Sequence, residues 1–245
     1  MPVLTDLTYT PSRANAYNAT VGSMTDVDCP ICENKGYIVR QENGVLFSRK
    51  CKCMVDRSNL RRIERSGLSD QLAYCTFSTY ETPHEWQKQA LFKAKAFTEE
   101  DGKWFYIGGT SGSGKTHLCT AIAGWFIERG KETRYLQWRS DIPKLKALVN
   151  DREEYERNFG EFAAAQVLYI DDFFKGNITE ADINIAYELI NARYINRGGI
   201  TIISSEKSLE DLLNIDEAIG GRIVERSRGY AIKTPTYNWR LKGGK

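Results

Sequence analysis

A glycine-rich loop between an apolar run and a helical pattern constrains this chain more than any other feature. The loop Gly109-Thr-Ser-Gly-Ser-Gly-Lys-Thr116 follows the apolar run 104–107 and precedes a helical pattern over 118–129. In that setting, backbone N–H groups turn inward around phosphate oxygens, and the following helix directs the positive end of its dipole at them. The chain is therefore predicted to bind a nucleoside triphosphate with Mg²⁺. The predicted contacts are Gly109, Thr110, Ser111, Gly112, Ser113, Gly114, Lys115, Thr116 and His117.

Within this loop, two side chains have specific chemistry. Lys115 is placed to reach the β- and γ-phosphates, and the Thr116 hydroxyl is placed to ligate Mg²⁺. Glycine-rich turns also occur in loops without a ligand. The predicted strand before this loop and the predicted helix after it favour the phosphate-binding interpretation.

Two carboxylates end a second apolar run. Residues 167–170 are Val-Leu-Tyr-Ile, and Asp171 and Asp172 follow them. A buried strand that carries an acid at its carboxyl end is how phosphate-loop enzymes place a carboxylate beside Mg²⁺. Asp171 is predicted to hold Mg²⁺ through water, and Asp172 to act as the general base on the attacking water. The alternative is a pair of aspartates that cap a helix or form a turn.

Polar side chains also follow the next apolar run, where Ser204 and Ser205 precede Glu206. The carboxyl edge of a parallel sheet faces the ligand crevice, so either serine is predicted to orient the γ-phosphate or the attacking water. Ser208 is also predicted to cap the following helix, with Asp211 three residues later. The two predictions are compatible.

Three arginines, Arg222, Arg226 and Arg228, lie close together in a later helical pattern. Arginines on a short helix are usually solvated. Phosphoryl transfer nevertheless gains much from an arginine that a neighbouring subunit supplies. Residue chemistry alone leaves both roles open.

Apolar runs alternate with helical patterns from Cys75 onward. Strands are predicted at 104–107, 133–138, 167–171, 200–204 and 230–233, and helices at 118–129, 141–150, 179–196 and 208–227. A further helix is predicted to begin at Thr82 and Pro83, as N-cap and first helical residue. This alternation predicts an α/β fold with a parallel sheet covered by helices on both faces. A chain of 245 residues with 41% apolar content suffices for one such domain and a smaller appendage.

Four of the six cysteines are clustered near the N-terminus. Cys29-Pro-Ile-Cys32 is followed, after eighteen residues, by Cys51-Lys-Cys53. Two close pairs at this spacing predict a tetrahedral Zn²⁺ site, and four thiolates leave no open position for catalysis. The strand patterns 36–40 and 45–47, joined by Glu42-Asn43-Gly44, predict a hairpin between the pairs. A redox CxxC is the alternative, and Cys75 and Cys119 are expected to be ordinary buried thiols.

These features predict a zinc-binding domain at 1–65, a linker at 66–80 and an ATPase domain at 81–245. Residues 49–65 contain seven lysines and arginines, which are predicted either to meet phosphates or to form a solvated helix face. The net charge of +2 does not by itself require a nucleic-acid partner. No apolar run approaches the roughly 20 residues of a membrane span. With no signal-peptide core either, the protein is expected in the cytoplasm.

In their order and spacing, these motifs resemble the bacterial and phage replicative helicase loaders of the DnaC/DnaI type, an AAA+ branch shared with the IstB transposition helpers. The resemblance covers residues 29–240. Its matching pieces are CPIC and CKC with the basic stretch, GxSGxGKTHL, LYIDDFFK, TIISSE, GGRIVERSRGYAIK and Asn238-Trp239-Arg240. It is closest to the Gram-positive and phage loaders that carry an N-terminal zinc knuckle.

The resemblance implies an AAA+ (ASCE) ATPase that loads a hexameric, DnaB-type replicative helicase onto single-stranded DNA. The zinc domain would dock on the helicase, while the AAA+ domain would self-assemble and contact the DNA. Carried over, Lys115 and Thr116 form the Walker A motif and Asp171 and Asp172 the Walker B motif. The resemblance further assigns sensor one to Ser204 and Ser205, the arginine finger to Arg222 and a candidate second sensor to Arg240.

The sequence departs from the family pattern in two places. Glu206 stands where many members have asparagine, and Asp172 stands where most AAA+ proteins have the longer glutamate. Either departure is expected to slow ATP hydrolysis, and slow turnover suits a switch that binds, assembles and releases. The hydrolysis is also predicted to be stimulated by DNA. Three other functions remain open: a transposition helper, which typically lacks the zinc knuckle, an interaction protein that uses ATP as a structural ligand, and a small-molecule kinase.

Overall fold

Residues 13–25, 27–43 and 45–235 are described by the structure, a computed structural model. They separate into two compact units that divide between Arg61 and Arg62. The segment 66–80, predicted as a linker, therefore lies within the second unit. Leu68 and Tyr80 are buried in its core, and the space beside Gly124 is filled by Leu72. These apolar side chains have partners in the second unit, which is why the segment is not a free connection.

The first unit contains a hairpin beside the four clustered cysteines. Helix α1 (Arg13–Asn18) precedes strands β1 (Tyr37–Glu42) and β2 (Val45–Lys50), and helix α2 (Cys53–Ser66) follows them. The strands are antiparallel, with Tyr37 opposite Lys50 and Glu42 opposite Val45. The predicted hairpin is confirmed. Asn43 has a φ of +50°, a left-handed turn conformation that asparagine tolerates, and Gly44 lies outside the described residues.

The second unit is built on a parallel sheet, as predicted. Within the described residues its five strands are β3 (Trp104–Gly108), β4 (Thr133–Gln137), β5 (Val167–Phe173), β6 (Ile200–Ser205) and β7 (Ala231–Lys233), in the order β4-β5-β6-β3-β7. All neighbouring pairs are parallel. Strands β3 and β6 are buried along their whole length, because helices cover both faces of the sheet.

The helices of the second unit cover two apolar faces. They are α3 (Ser69–Leu72), α4 (Glu85–Phe97), α5 (Lys115–Glu128), α6 (Trp138–Ala147), α7 (Arg152–Ala164), α8 (Glu180–Ile195), α9 (Leu209–Ile215) and α10 (Glu217–Arg226). Alternate residues of β3 point to opposite faces. Trp104 and Tyr106 belong to the core formed with α6, α8 and α10, whereas Phe105 and Ile107 belong to the core formed with α4 and α5.

Several predicted boundaries are wrong for local reasons. Helix α4 begins at Glu85 rather than beside Thr82, because the Gln87 side chain accepts the His84 N–H at 3.1 Å and makes His84 the N-cap. The helix predicted over 208–227 is two helices, since Asp216 ends α9 and then caps α10 through the Ile219 N–H at 2.8 Å. Helix α7 was not predicted at all. No helix in the described part of the chain is long and apolar enough to span a membrane.

Candidate functional site

The glycine-rich loop joins the end of β3 to the start of α5, and its glycines have backbone conformations that other residues rarely adopt. The φ angles are +138° at Gly109, +76° at Gly112 and +86° at Gly114. A Cβ atom on Gly109 would also lie 2.2 Å from the Thr234 hydroxyl oxygen. The loop can take this shape only with glycine at these positions.

The Lys115 side chain is buried inside the loop. Its ammonium donates to the carbonyl oxygens of Gly109, at 2.8 Å, and Thr110, at 2.7 Å. Burial lowers the pKa of Lys115, while the negative charges of Glu206 and Asp172 act in the opposite direction. The loop therefore holds a partly desolvated cation that two neutral carbonyls satisfy, and phosphate oxygens are stronger partners for it.

Asp171 is the most deeply buried carboxylate of the predicted site, and hydroxyl groups surround it. Its Oδ1 accepts from Thr116 at 3.2 Å, from Tyr169 at 2.7 Å and from Ser204. Its Oδ2 accepts from Tyr135 at 2.9 Å. Oxygen donors of this kind suit Mg²⁺, so Thr116 and Asp171 fit the predicted metal site. The two tyrosines were not foreseen from the sequence.

The acid pair lies at an irregularity of the sheet. The register between β5 and β6 shifts between Ile170 and Phe173, and Asp172 and Phe174 have left-handed φ angles of +56° and +55°. Such irregularities redirect side chains beside functional sites. The shift lets Asp171 and Asp172 both approach Ser204, whose hydroxyl donates to the first and accepts the N–H of the second at 3.1 Å.

Asp172 forms an ion pair that the sequence did not reveal. The Lys175 ammonium lies 2.9 Å from Asp172 Oδ2 and 3.2 Å from Glu206 Oε1. It therefore bridges the predicted general base and the residue that departs from the family pattern. Burial acts to lower the pKa of Lys175, but hydrogen bonds to both carboxylates raise it above its usual value.

The two serines at the end of β6 are separated by their hydrogen bonds. Ser204 contacts both aspartates, as described above. Ser205 instead donates to the Phe173 carbonyl at 2.7 Å and accepts the Lys207 N–H at 3.0 Å. Ser205 thus holds the backbone at the end of the strand and does not face the acids. Ser208 caps α9 as predicted, accepting the Asp211 N–H at 3.1 Å.

A cavity of about 520 Å³ lies against the loop. One wall is formed by residues 111–117 together with Asp172 and Lys175. The opposite wall comes from the segment that was predicted as a linker, from the residue after it and from the start of α4; its residues are Gln71, Tyr74, Cys75, Thr79, Tyr80, Glu81 and Gln87. This second wall was not predicted from the sequence, because its residues follow no recognised motif.

His117 and Tyr80 connect the two walls. The His117 Nε2 lies 3.1 Å from the Thr76 carbonyl oxygen and 3.3 Å from the Thr79 hydroxyl, and its ring meets the Tyr80 ring edge-on at 5.3 Å. His117 lines the cavity, but these contacts tie α5 to the opposite wall. The pKa of Tyr80 is raised to about 12, mainly by burial, so its hydroxyl stays protonated at neutral pH.

Arg222 is not brought to the cavity within one chain. Its guanidinium donates to the Ala218 carbonyl at 2.8 Å and lies 5.2 Å and 5.6 Å from the ring centroids of Tyr187 and Tyr194. Arg226, in contrast, donates to the Arg197 carbonyl at 2.9 Å and has a structural role. Arg240 lies outside the described residues.

In the first unit, the four clustered cysteines converge as predicted. Their sulfur atoms all lie within 4.8 Å of one another, with 3.8 Å between Cys29 and Cys51 and 3.6 Å between Cys32 and Cys53. Four sulfurs at a Zn–S distance of about 2.3 Å form a tetrahedron with edges of about 3.8 Å. All four thiols are buried, so the cluster fits a structural zinc ion. Cys75 and Cys119 are buried in the second unit.

Comparison with known protein families agrees with this geometry. The model of the IstB-like ATP binding protein family matches residues 10–242. The chain belongs to this family. It is 33% identical over 239 residues to the phage-like element PBSX protein XkdC of Bacillus subtilis, which covers 88% of this chain and 87% of that one.

A second relative and a solved structure extend the comparison. The chain is 26% identical over 213 residues to the replicative helicase loader DnaC of Buchnera aphidicola subsp. Baizongia pistaciae, covering 81% of this chain and 82% of that one. The crystal structure of DnaI superposes with a TM-score of 0.57 at 21% identity, covering 67% of this chain and 93% of that one. The structural likeness confirms the predicted AAA+ fold, and membership of the family establishes an ATP-binding protein.

Replacing the buried lysine tests the phosphate loop directly. Lys115→Ala removes the only ammonium that the loop encloses among the described residues, so we expect ATP affinity to fall at least about 100-fold, equivalent to about 2.7 kcal/mol. Lys93→Ala, at an exposed position on α4, is the matched control and should bind as the parent does. Titration with a fluorescent ATP analogue measures both. Equal affinity of the parent and Lys115→Ala would contradict the assigned role.

Proposed function

We propose that this protein is an ATP-dependent loader that binds a hexameric, DnaB-type replicative helicase and places it on single-stranded DNA during replication initiation in a phage or a bacterium. The observation that carries the proposal is the presence, in one chain, of an AAA+ nucleotide site and a separate unit built around four clustered cysteines. Relatives named replicative helicase loader align with about four fifths of both chains, which supports the proposal. The expected location is the cytoplasm.

The groups that line the nucleotide site suit ATP hydrolysis. Lys115 would bind the β- and γ-phosphates, and the Thr116 hydroxyl and the Asp171 carboxylate would hold Mg²⁺. When bound, Mg²⁺ neutralises charge on the phosphates. Asp172 lines the cavity beside the loop, where its carboxylate would take the proton of the attacking water. Ser204 fixes both acids relative to each other, through its hydroxyl to Asp171 and through the backbone N–H of Asp172.

Slow turnover is consistent with the position of the general base. Asp172 is one methylene shorter than the usual glutamate, and one of its oxygens is paired with Lys175 at 2.9 Å. A water molecule must reach the remaining oxygen, or the ion pair must open. Either requirement lowers the fraction of bound ATP that is ready to react. A loader that stays assembled while ATP is bound would benefit from such a delay.

Asp172→Asn tests the general base. The amide keeps the size of the side chain but cannot accept the proton, so we expect turnover to fall at least about 100-fold while ATP affinity changes less than about threefold. Asp101→Asn, at an exposed loop position, is the control. Phosphate release under saturating ATP and titration with an ATP analogue measure the two effects. Hydrolysis by Asp172→Asn at the parental rate would show that another group activates water.

The proposed self-assembly predicts a specific pattern for Arg222. Because Arg222 lies outside the cavity of its own chain, Arg222→Ala should bind ATP normally and fail to hydrolyse it. Mixing Arg222→Ala with Lys115→Ala should restore part of the hydrolysis, since one interface in the mixture combines an intact loop with an intact arginine. Arg228→Ala, at an exposed neighbouring position, should retain parental activity. Absence of recovery at every mixing ratio would favour Arg222 as a structural arginine.

The helicase interaction can be tested on the full chain. Cys29→Ser should lose the zinc that the cluster is proposed to bind, because three thiolates and a weakly ligating hydroxyl replace four thiolates. A unit of about 60 residues has little core, so much of its stability is expected to come from the metal. The variant should therefore lose capture by the replicative helicase, while ATP binding in the second unit stays parental. Cys75→Ser, in the second unit, should retain both zinc and helicase.

Metal analysis and helicase capture decide this prediction together. Parental protein with less than half an equivalent of zinc would contradict the metal assignment. Undiminished capture by zinc-free Cys29→Ser would move the helicase contact to the second unit and leave the basic run 49–65 as a candidate DNA contact. Binding to single-stranded DNA should weaken steeply with salt, as phosphate contacts do.

A transposition helper is the second candidate function, and the family model, which bears the IstB name, favours it. ATP hydrolysis that single-stranded DNA stimulates would fit either function. Co-purification with a replicative helicase separates the two, because only the loader is expected to bind one. A chain that binds ATP and never hydrolyses it, with or without DNA and helicase, would instead be an interaction protein with a structural nucleotide.

A further inference from the structure

We propose that Tyr135 and Tyr169 are positioning residues that set the Mg²⁺ affinity of the site by fixing both oxygens of Asp171. This inference rests on the proposed role of Asp171 in holding Mg²⁺. It assigns a function to two side chains that belong to no recognised motif of the sequence.

Strand register places the two tyrosines together. In the parallel pairing of β4 with β5, Tyr135 lies opposite Tyr169, and Gln137 lies opposite Asp171. Residues two apart on a strand share a face, so Tyr169 and Asp171 point to the same side of the sheet. The two rings contact each other, with centroids 5.1 Å apart and a tilt of 49°. Both hydroxyls therefore reach the same carboxylate, Tyr169 at Oδ1 and Tyr135 at Oδ2.

The carboxylate of Asp171 depends on these hydrogen bonds. Its residue is 3% exposed, and no lysine or arginine of the described residues forms an ion pair with it. A buried charge without a counterion is costly unless hydrogen bonds replace the lost water. Three hydroxyls donate to Oδ1, whereas among the described residues only Tyr135 donates to Oδ2. The Tyr135 bond is consequently the one that holds Oδ2, and together with the bonds to Oδ1 it restrains rotation of the carboxylate about its Cβ–Cγ bond.

Neither tyrosine lines the cavity, so both would act through Asp171. With its oxygens fixed, the carboxylate presents the same face to the Thr116 hydroxyl before and after a metal arrives. Little orientational freedom then remains to be lost on binding. Groups that orient metal ligands in this way typically change metal affinity 10- to 100-fold when they are removed, so a loss of about 10-fold is the scale expected here.

Tyrosine-to-phenylalanine variants separate positioning from packing, because the rings stay in place. The experiment compares Tyr135→Phe, Tyr169→Phe and a matched control, Tyr155→Phe, which removes a hydrogen bond of 2.7 Å between a tyrosine hydroxyl and Glu188 elsewhere in the same unit. Asp171→Asn provides the reference for a lost metal ligand. A fluorescent ATP analogue is titrated in EDTA and then at increasing Mg²⁺, and Mn²⁺ bound in the presence of ATP is counted by electron paramagnetic resonance.

We expect affinity in EDTA to match the parent in all three tyrosine variants. The Mg²⁺ concentration at half-maximal effect should rise about 10-fold in Tyr135→Phe. It should rise less in Tyr169→Phe, because Thr116 and Ser204 still donate to Oδ1. Tyr155→Phe should leave it unchanged, and bound Mn²⁺ should fall in the same order.

Three results would overturn the inference. The first is a parental Mg²⁺ midpoint in both variants. The second is an equal loss of affinity with and without Mg²⁺, which would mark a structural role in shaping the nucleotide site. The third is a parent that gains no affinity from Mg²⁺, which would refute the metal role of Asp171 and with it part of the proposed function. Only the third result concerns the parental protein, so a failure of the proposed metal role of Asp171 can be distinguished from a failure of the role inferred for the tyrosines.

Discussion

A buried carboxylate that has no counterion among the described residues is the constraint on which the nucleotide site depends. Asp171 is stabilised by hydroxyls from four different elements: Tyr135 on β4, Tyr169 on β5, Ser204 on β6 and Thr116 on α5. Each hydrogen bond is satisfied only if the strands keep their register and the loop holds α5 in place. The order of the sheet and the position of the phosphate loop are therefore linked through one side chain, and a shift of any neighbour would leave a buried charge unsatisfied.

Charge balance extends this constraint across the cavity. Lys115 and Lys175 are the cations, and Asp172 and Glu206 are the nearest acids that influence Lys115. The phosphates of ATP would add negative charge beside Lys115, so Asp172 and Glu206 would contribute a smaller share of its electrostatic stabilisation. The ion pairs of Lys175 with Asp172 and Glu206 are then the contacts that ATP binding would most readily change. Glu206 thus has a physical partner in Lys175.

The sequence contained the parts of the site that depend on short-range spacing. The phosphate loop needs three left-handed glycines and a lysine within eight residues, and the cysteine cluster needs two close pairs, so both could be predicted. The strands were predictable for a similar reason, because parallel strands buried on both faces are continuous apolar runs. The two tyrosines at Asp171 could not be predicted in this way. They are 34 residues apart along the chain, and the register between β4 and β5 brings them together.

The same distinction explains the other errors. Lys175 pairs with Asp172 in a segment where Asp172 and Phe174 adopt left-handed conformations, and a bulky residue such as Phe174 rarely does so. The segment 66–80 was predicted as a linker, although its apolar residues Leu68, Leu72 and Tyr80 pack into the second unit. Their partners lie on α5 and in the loop, far along the chain. These contacts form the wall of the cavity opposite the phosphate loop, so this wall could not be predicted from the local sequence.

On the proposed function, one chain supplies the groups for binding ATP, and a neighbouring subunit supplies the arginine for turnover. The loop, the acids and the cavity walls come from the same unit, whereas the Arg222 guanidinium rests on Tyr187 and Tyr194 of its own chain. A cation over two aromatic faces is held by an interaction on the order of 1 kcal/mol, which a neighbour's phosphate can replace. In the proposed function, assembly is the step that completes the site. ATP therefore binds first, and hydrolysis starts only after the subunits have assembled. Asp172, held by Lys175, delays the reaction at the same stage, so both features favour a bound state that persists until the partner is in place.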